Sequence, residues 1–370
     1  MDDRKWASEI LDKVTCKMKA VVSRNAHKVP YITTDGIYDN RDGDDISWWT
    51  NGFWGGVLWE MNILTGDSFY ADLEYELEEK MDRNLMSADS LSHDNGFMWL
   101  LTSVYHYKRY GNRSSLNRSL LAANNLAGRF NPNGCFIRAW NDNGVDDCRG
   151  WAIIDCMMNL PLLYWASEET KDPRFRNVAI KHADRVIESF IRPDGSVCHI
   201  VEFDPETGER IRSYGGQGYG HGSSWTRGQA WAIYGFALSY IHTGKEAYLD
   251  TAKKVADYFI ASIPSSYLIP ADFRQPEDVS LEDTTAASIA ACGLLEIYRI
   301  SNEKKYYEAA LGMLRTLSAK RAVWNPDIDS IIEKGTVAYH EGEHERGIIY
   351  GDYYFIEALM KIAEIQFLPW

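Results

Sequence analysis

The feature that most constrains this chain is a repeat of paired helices. A turn followed by an amphipathic helix recurs: TGDSFYADLEYELEEKM from 65, YGNRSSLNRSLLAANNLAGRF from 110, and KDPRFRNVAIKHADRVIESF from 171. It returns as TGKEAYLDTAKKVADYFIASI from 243 and SNEKKYYEAALGMLRTLSAK from 301, and a charged N-terminal segment, roughly 5–25, makes a sixth. In each, apolar residues fall at three- and four-residue spacing with charges between them, the stripe of a helix packed on one side only. Ahead of the turns lie segments that are apolar nearly all round: NGFWGGVLWEMNIL, GFMWLLTSVYHYKRY, WAIIDCMMNLPLLYWAS, RGQAWAIYGFALSYIHT, TTAASIAACGLLEIYRI and, last, GDYYFIEALMKIAEI. A helix hydrophobic on every side is buried on every side. Six amphipathic helices alternating with six buried ones predict an all-α ring, an (α/α)6 barrel with the buried set inside. No Pro/Ser-rich linker breaks the alternation, so residues 1–370 read as one domain.

The connections are unequal. Those from a buried helix to its amphipathic partner are short. Those leading to the next buried helix are long and rich in Gly, Trp, Asp and His. One of them, SVCHIVEFDPETGERIR, alternates around a PETGE turn and predicts a small β-hairpin. Long loops on a rigid scaffold usually carry function, which puts the expected site at the N-terminal ends of the inner helices.

Charge and cysteine usage remove some classes of function. The formal net charge is −14, without long runs of one sign, which argues against nucleic acid as a partner. An anionic small substrate stays open, because an Arg or two inside a pocket outweighs distant negative surface. No apolar run is long enough for a membrane span. The N-terminus MDDRKWASEILDKV reads as a charged amphipathic helix and not as a secretion signal. Six scattered Cys without a CxxC pair suit free thiols in a reducing, cytoplasmic setting. Nothing implies an obligate protein partner, a metal or a cofactor. The stretch His340-Glu341-Gly342-Glu343-His344 satisfies HExxH literally, but Gly342 and the nearby Gly347 make it a loop, whereas a zinc site of that kind needs both His on one helix.

Two acids and one glycine-rich segment remain as candidate chemistry. Asp155, in GWAIIDCMMNLPLL, is surrounded by apolar residues. Burial of a carboxylate is costly unless it is paired or solvated, and it raises the pKa toward the range of a proton donor. The alternative is a structural Asp bonded to neighbouring backbone. Asp94, in LSHDNGFMW, stands where an Asp commonly caps a helix, so capping and chemistry are both open. The segment SYGGQGYGHGSSWTRGQAWAIYGF, from 213, allows close backbone approach to a ligand and offers Gln217, His221, Arg227 and Gln229. Its glycines do not follow a strand of a βαβ unit, so a phosphate loop is excluded. Arg227 could bond loop carbonyls or recognise a carboxylate.

These motifs resemble glycoside hydrolase family 88, the unsaturated glucuronyl hydrolases, along nearly the whole chain. The pieces are SWWTNGFWGG at 47, HDNGF at 93, IRAW at 137, IIDCMMNLPLLYWA at 153, SSWTRGQAWAIYGFAL at 223, IAACGLLEI at 289 and GDYYFIEAL at 351. The resemblance implies an (α/α)6 barrel that removes a 4,5-unsaturated uronic acid from the non-reducing end of lyase-generated, glycosaminoglycan-type oligosaccharides. It implies that Asp155 protonates C4 of the enol ether and activates water to attack C5, outside the usual retaining and inverting schemes. Asp94 matches a second carboxylate that holds ring hydroxyls and tunes its partner. Trp48, Trp140, Trp225 and Trp231 match aromatic positions lining the pocket, and His199, Gln217 and Arg227 match polar positions on the uronate, Arg227 toward its carboxylate. His221 stays unassigned. The stretch HERGIIYGDYYF lacks the Ser/Lys pattern that some members use for sulfated substrates, although Arg346 could partly substitute. The related rhamnogalacturonyl hydrolases, acting on pectin fragments, and the sugar 2-epimerases share the barrel. An epimerase needs His residues within it, whereas His106 and His242 fall near the far ends of inner helices.

Overall fold

The computed structural model describes residues 2–43, 45–87, 90–142, 144 and 146–370. The amphipathic segments form the outer helices α1 (Asp3–Asn25), α3 (Ser68–Leu85), α6 (Arg113–Gly128), α8 (Pro173–Phe190), α10 (Glu246–Ser262) and α12 (Lys304–Lys320). The apolar segments form the inner helices α2 (Asn51–Thr65), α7 (Leu160–Thr170), α9 (Thr226–Thr243), α11 (Thr284–Ser301) and α13 (Ile349–Ile362). The sixth inner helix is composite: α4 (Asn95–Trp99) runs through a π-helical turn (Leu100–Val104) into α5 (Tyr105–Tyr110). Each inner helix packs on the next, and α13 returns to α2 and α1, so the expected ring closes.

Local chemistry explains the repeat. At each of these turns one residue takes the left-handed conformation that ends the inner helix: Gly66, Gly111, Lys171, Gly244 and Asn302. The amides of Gly66, Gly111, Gly244 and Asn302 donate back to the last turn, satisfying a carbonyl that the helix leaves orphaned. The residue that follows starts the outer helix, and Asp67, Asn112 and Asp172 accept from the amide two positions on. Burial then separates the two sets. In α8 the buried positions are Phe175, Ala179, His182, Ala183, Val186, Ser189 and Phe190, one stripe. In α9 every residue from Thr226 to Ser239 is buried.

The ring's interior is filled by aromatic side chains. Phe97 lies 5.0 Å from Trp231, Trp231 lies 5.6 Å from Tyr354, and Tyr354 stacks on Trp370 at 5.8 Å. Much of the chain's aromatic content is therefore core volume.

Short strands decorate the long connections. They are β1 (Thr33–Thr34), β2 (Ile37–Tyr38), β3 (Phe130–Asn131), β4 (Phe136–Ile137), β5 (Trp151–Ile153), β6 (Ile200–Phe203) and β7 (Arg210–Tyr214). The expected hairpin is β6–β7, and β5 adds to it as a third antiparallel strand. This corrects one expectation. WAIIDCMMNLPLLYWAS is not a helix throughout: it is strand from Trp151, a 3-10 turn over Ile154–Met158, and helix only from Leu160. Ile153 is extended and paired to Ile200, and Pro161, tolerated only in a helix's first turn, fixes where α7 begins.

Candidate active site

Asp94 and Asp155 stand at the same end of neighbouring inner helices, one before α4 and one in the 3-10 turn before α7. Asp94 does not cap its helix. Its Oδ2 accepts from Ser92 Oγ at 2.9 Å, and its Oδ1 accepts from Asn159 Nδ2 at 3.3 Å. Burial lifts its pKa to about 6, against the pull of those two hydrogen bonds and of the Arg129 charge. Asp155 goes further. Burial, and then the neighbouring Asp94 charge, push it to about 8, with Arg227 opposing. Its Oδ1 is buried and has no hydrogen-bond partner among the described residues, and a backbone hydrogen bond within Asp155 itself opposes the upward shift only in part.

His199, immediately before β6, faces Asp155 with Nε2 at 3.9 Å from Oδ1. Burial, and then Arg227, lower the imidazole's pKa to about 3, so the ring is neutral. Its Nδ1 accepts from the Gln217 amide at 3.0 Å, which leaves the proton on Nε2, on the Asp155 side. A neutral ring beside a largely protonated acid is not an ion pair. Gly216 makes this contact possible: it has φ +55, and a Cβ there would meet His199 Nδ1 at 1.9 Å. Trp225 packs its ring 4.2 Å from that of His199.

Arg227 decides between its two sequence alternatives in favour of structure. It is 1% exposed; Nη1 donates to Asp283 Oδ2 at 2.7 Å and Thr336 O at 2.6 Å, and Nη2 donates to Val337 O at 2.5 Å. Its Nε–H has no partner among the described residues, and its charge acts on Asp155 and Tyr31. Gln217 Nε2 donates to the same Val337 carbonyl. Trp48 packs on Tyr31 with ring centroids 5.3 Å apart, under the Arg41 guanidinium. Trp140 is 38% exposed at the rim. Trp231 is fully buried in the aromatic interior against Phe97 and lines no open surface, unlike the position the resemblance implied for it. His221 is exposed, and Arg346 pairs with Glu343 at 3.5 Å.

Two residues escaped the sequence reading. Asn159 is buried at the start of α7; it donates to Asp94 Oδ1 and to the Asp155 carbonyl, each at 3.3 Å, while its Oδ1 accepts from the Phe97 amide at 2.8 Å. A lone Asn in the apolar IIDCMMNLP was the available signal. Asp272 accepts from the amides of Tyr219, Ser224 and Arg274 at 3.0, 2.9 and 2.8 Å. The glycine-rich segment thus folds around a carboxylate of its own chain.

The other motifs form no site of their own among the described residues. His340 and His344 lie in loop and bond the carbonyls of Tyr219 and Ala338. His106 bonds Glu78 at 2.6 Å and His242 bonds Glu168 at 3.2 Å, both at the far ends of inner helices. Among the described residues, Glu74, Glu78 and His106 bring three possible ligand atoms within 4.8 Å of one another. Glu78 is already engaged there by Ser103, Ser115 and Arg118, so this is a buried network joining α3, α5 and α6.

An inner and outer ring of helices with a buried and a partly buried acid of split pKa at one end, framed by Trp, defines an (α/α)6-barrel enzyme of the glycoside hydrolase kind. The chain belongs to Glycosyl Hydrolase Family 88, whose profile matches residues 17–240. It is 36% identical to the unsaturated glucuronyl hydrolase of Bacillus sp. (strain GL1), over 88% of this chain and 87% of that one. It is 33% identical to the unsaturated chondroitin disaccharide hydrolase of Streptococcus pneumoniae (strain ATCC BAA-255 / R6), over 98% and 93%. The crystal structure of the Bacillus sp. GL1 unsaturated glucuronyl hydrolase superposes with a TM-score of 0.89 at 33% identity, covering 96% of both chains. The fold expected from the repeat is the observed one.

Proposed function

We propose that this enzyme removes the 4,5-unsaturated uronic acid from the non-reducing end of glycosaminoglycan-type oligosaccharides, with residues 1–370 acting as one catalytic domain. The observation that carries the chemistry is Asp155: a partly buried acid that keeps its proton up to a pH of about 8, with one carboxyl oxygen covered and the side chain still 14% exposed. Its proton goes to C4 of the enol ether, and positive charge develops at C5. Water adds at C5 and returns a proton to Asp155. The C5 hemiketal then opens by breaking its bond to the ring oxygen, leaving a ketone at C5 and a hemiacetal at C1 that expels the leaving sugar. One carboxyl serves as acid and base in turn.

Asp94, with a pKa of about 6, is mostly ionised at neutrality; it holds ring hydroxyls and, by its charge, keeps Asp155 protonated. His199 offers its Nε2 proton beside Asp155. Arg227, held by its bonds within the barrel, supplies positive charge toward the uronate carboxylate, Gln217 a polar edge, and Trp48, Trp140 and Trp225 apolar faces, with Trp231 behind them. All six cysteines are free thiols, which favours a reducing compartment such as the cytoplasm. No described helix is long and apolar enough to cross a membrane. The names of the relatives favour glycosaminoglycan fragments over pectin fragments.

The test follows the loss of enol-ether ultraviolet absorbance with unsaturated chondroitin or hyaluronan disaccharide. The wild type bleaches the signal, and Asp155→Asn loses on the order of a thousandfold in kcat. Wild-type rates in Asp155→Asn sink the mechanism. Bleaching only with an unsaturated rhamnogalacturonan disaccharide moves the enzyme to the pectin reading.

A further inference from the structure

The three-stranded sheet delivers site residues at one end only. Asp155 follows β5, His199 precedes β6, and Gln217 follows β7. Antiparallel register sets Ile153 beside Ile200 and Ile200 beside Tyr214 at that end. Two residues farther out it sets Trp151 beside Glu202 and Glu202 beside Arg212. Alternate residues share a face, so these six side chains form one wall, while Ala152, Val201 and Phe203 point into the main core. The wall is an outgrowth of the catalytic mouth.

Its surface is aromatic. Ala139, Ile153 and Ile200 form a small apolar cluster covered by Trp151 and Tyr214. Trp151 lies 4.9 Å from Tyr214 and 5.9 Å from the exposed Trp140. At the outer edge the Arg212 guanidinium sits 5.0 Å from the Tyr214 ring, and Glu202 Oε2 accepts from Arg212 Nε at 2.7 Å and from Tyr214 Oη at 2.5 Å. Half-buried indole and phenol rings with a carboxylate and a guanidinium at their margin suit a pyranose. The C–H face packs on the rings while hydroxyls bond the charged pair. From the Ile153–Ile200 level to the Trp151–Glu202 level is about 7 Å at strand rise, the scale of one sugar ring.

We propose that Trp151, Tyr214 and the Glu202–Arg212 pair form an outer subsite for the sugars of a longer chain, beyond the leaving residue next to the scissile bond, reached past Trp140. This rests on the function proposed above. The enzyme then binds oligosaccharides more tightly than disaccharides, by contacts remote from the chemistry.

The experiment compares kcat/KM on unsaturated chondroitin disaccharide and tetrasaccharide for the wild type, Trp151→Ala and Arg212→Ala. The expected result is a wild-type preference for the tetrasaccharide that falls about tenfold in Trp151→Ala and by a smaller factor in Arg212→Ala, mainly through KM. Disaccharide kinetics stay within about twofold. Arg212 is largely exposed, so its variant reads the subsite even if Trp151→Ala folds poorly. Equal losses on both substrates, or a tetrasaccharide preference untouched by either variant, overturn the subsite. A wild type inactive on both substrates instead overturns the underlying function, a distinct outcome.

Discussion

At the scale of the residue, the energetics turn on one oxygen. Asp155 is folded into a place where ionisation is penalised, and a pKa of about 8 means that the folded state holds a proton which the unfolded chain releases near 3.8. The sign follows from linkage. A carboxyl with a raised folded pKa favours folding when protonated, costs nothing below the unfolded value, and costs progressively more as pH rises toward the folded value. At neutral pH that cost is about 4 kcal/mol. Asp155→Asn, neutral at every pH, is therefore expected to melt higher than the wild type at pH 8, with the gap closing near pH 4. Calorimetry across that range checks it; a variant less stable at pH 8 contradicts the burial account. Asp155 was legible because an acid in an apolar stretch is conspicuous. Asn159, which bridges the two acids, was not: its partner Asp94 is 65 positions away, and nothing in IIDCMMN names it.

At the scale of the element, short turns fixed the helices and long ones fixed the site. The left-handed residue and cap between inner and outer helices are local chemistry, written in TGD, YGN, KD, TGK and SNE, so this half of the architecture was readable. The other half was not. Trp151–Ile153 is extended because strand β6 pairs with it, not because of its own pattern, and the helix expected there gave way to a ladder with residues about fifty positions on. The same sheet seats His199, whose acceptor nitrogen needs the Gln217 amide and therefore a residue without Cβ at 216. Gly216→Ala is expected to lower kcat by about 10–100-fold, as a displaced catalytic group does, while the fold is kept. Circular dichroism beside the disaccharide assay tests this, and unchanged kcat removes His199 from the site.

At the scale of the whole molecule, Arg227 ties the ring together under the active site. It joins α9 to Asp283 at the start of α11 and to the loop carbonyls of Thr336 and Val337. Asp283 is buried, so removing Arg227 strands a charge. Breaking such a pair from one side costs about 3–5 kcal/mol. Arg227→Met is expected to melt several degrees lower than the wild type and to lose activity. An unchanged melting temperature with lost activity would make Arg227 a substrate ligand alone.

The sequence by itself determined the ring, because helix periodicity, all-round apolar segments and capping turns are properties of neighbouring residues. It also marked Asp155 as an unusual acid and left Asp94 between a helix cap and chemistry. The tertiary structure alone decided what those acids are. Closure of the ring brings Asp94, Asn159 and Asp155 together from α4 and α7, and the sheet brings His199 to them. The pKa values split only because burial and one carboxylate's field act on the other across that closed space. Arg227 read from the sequence as either a clasp for loop carbonyls or a hand for a carboxylate; packing made it a clasp for the barrel, since a guanidinium so deeply buried must satisfy its donors within the fold.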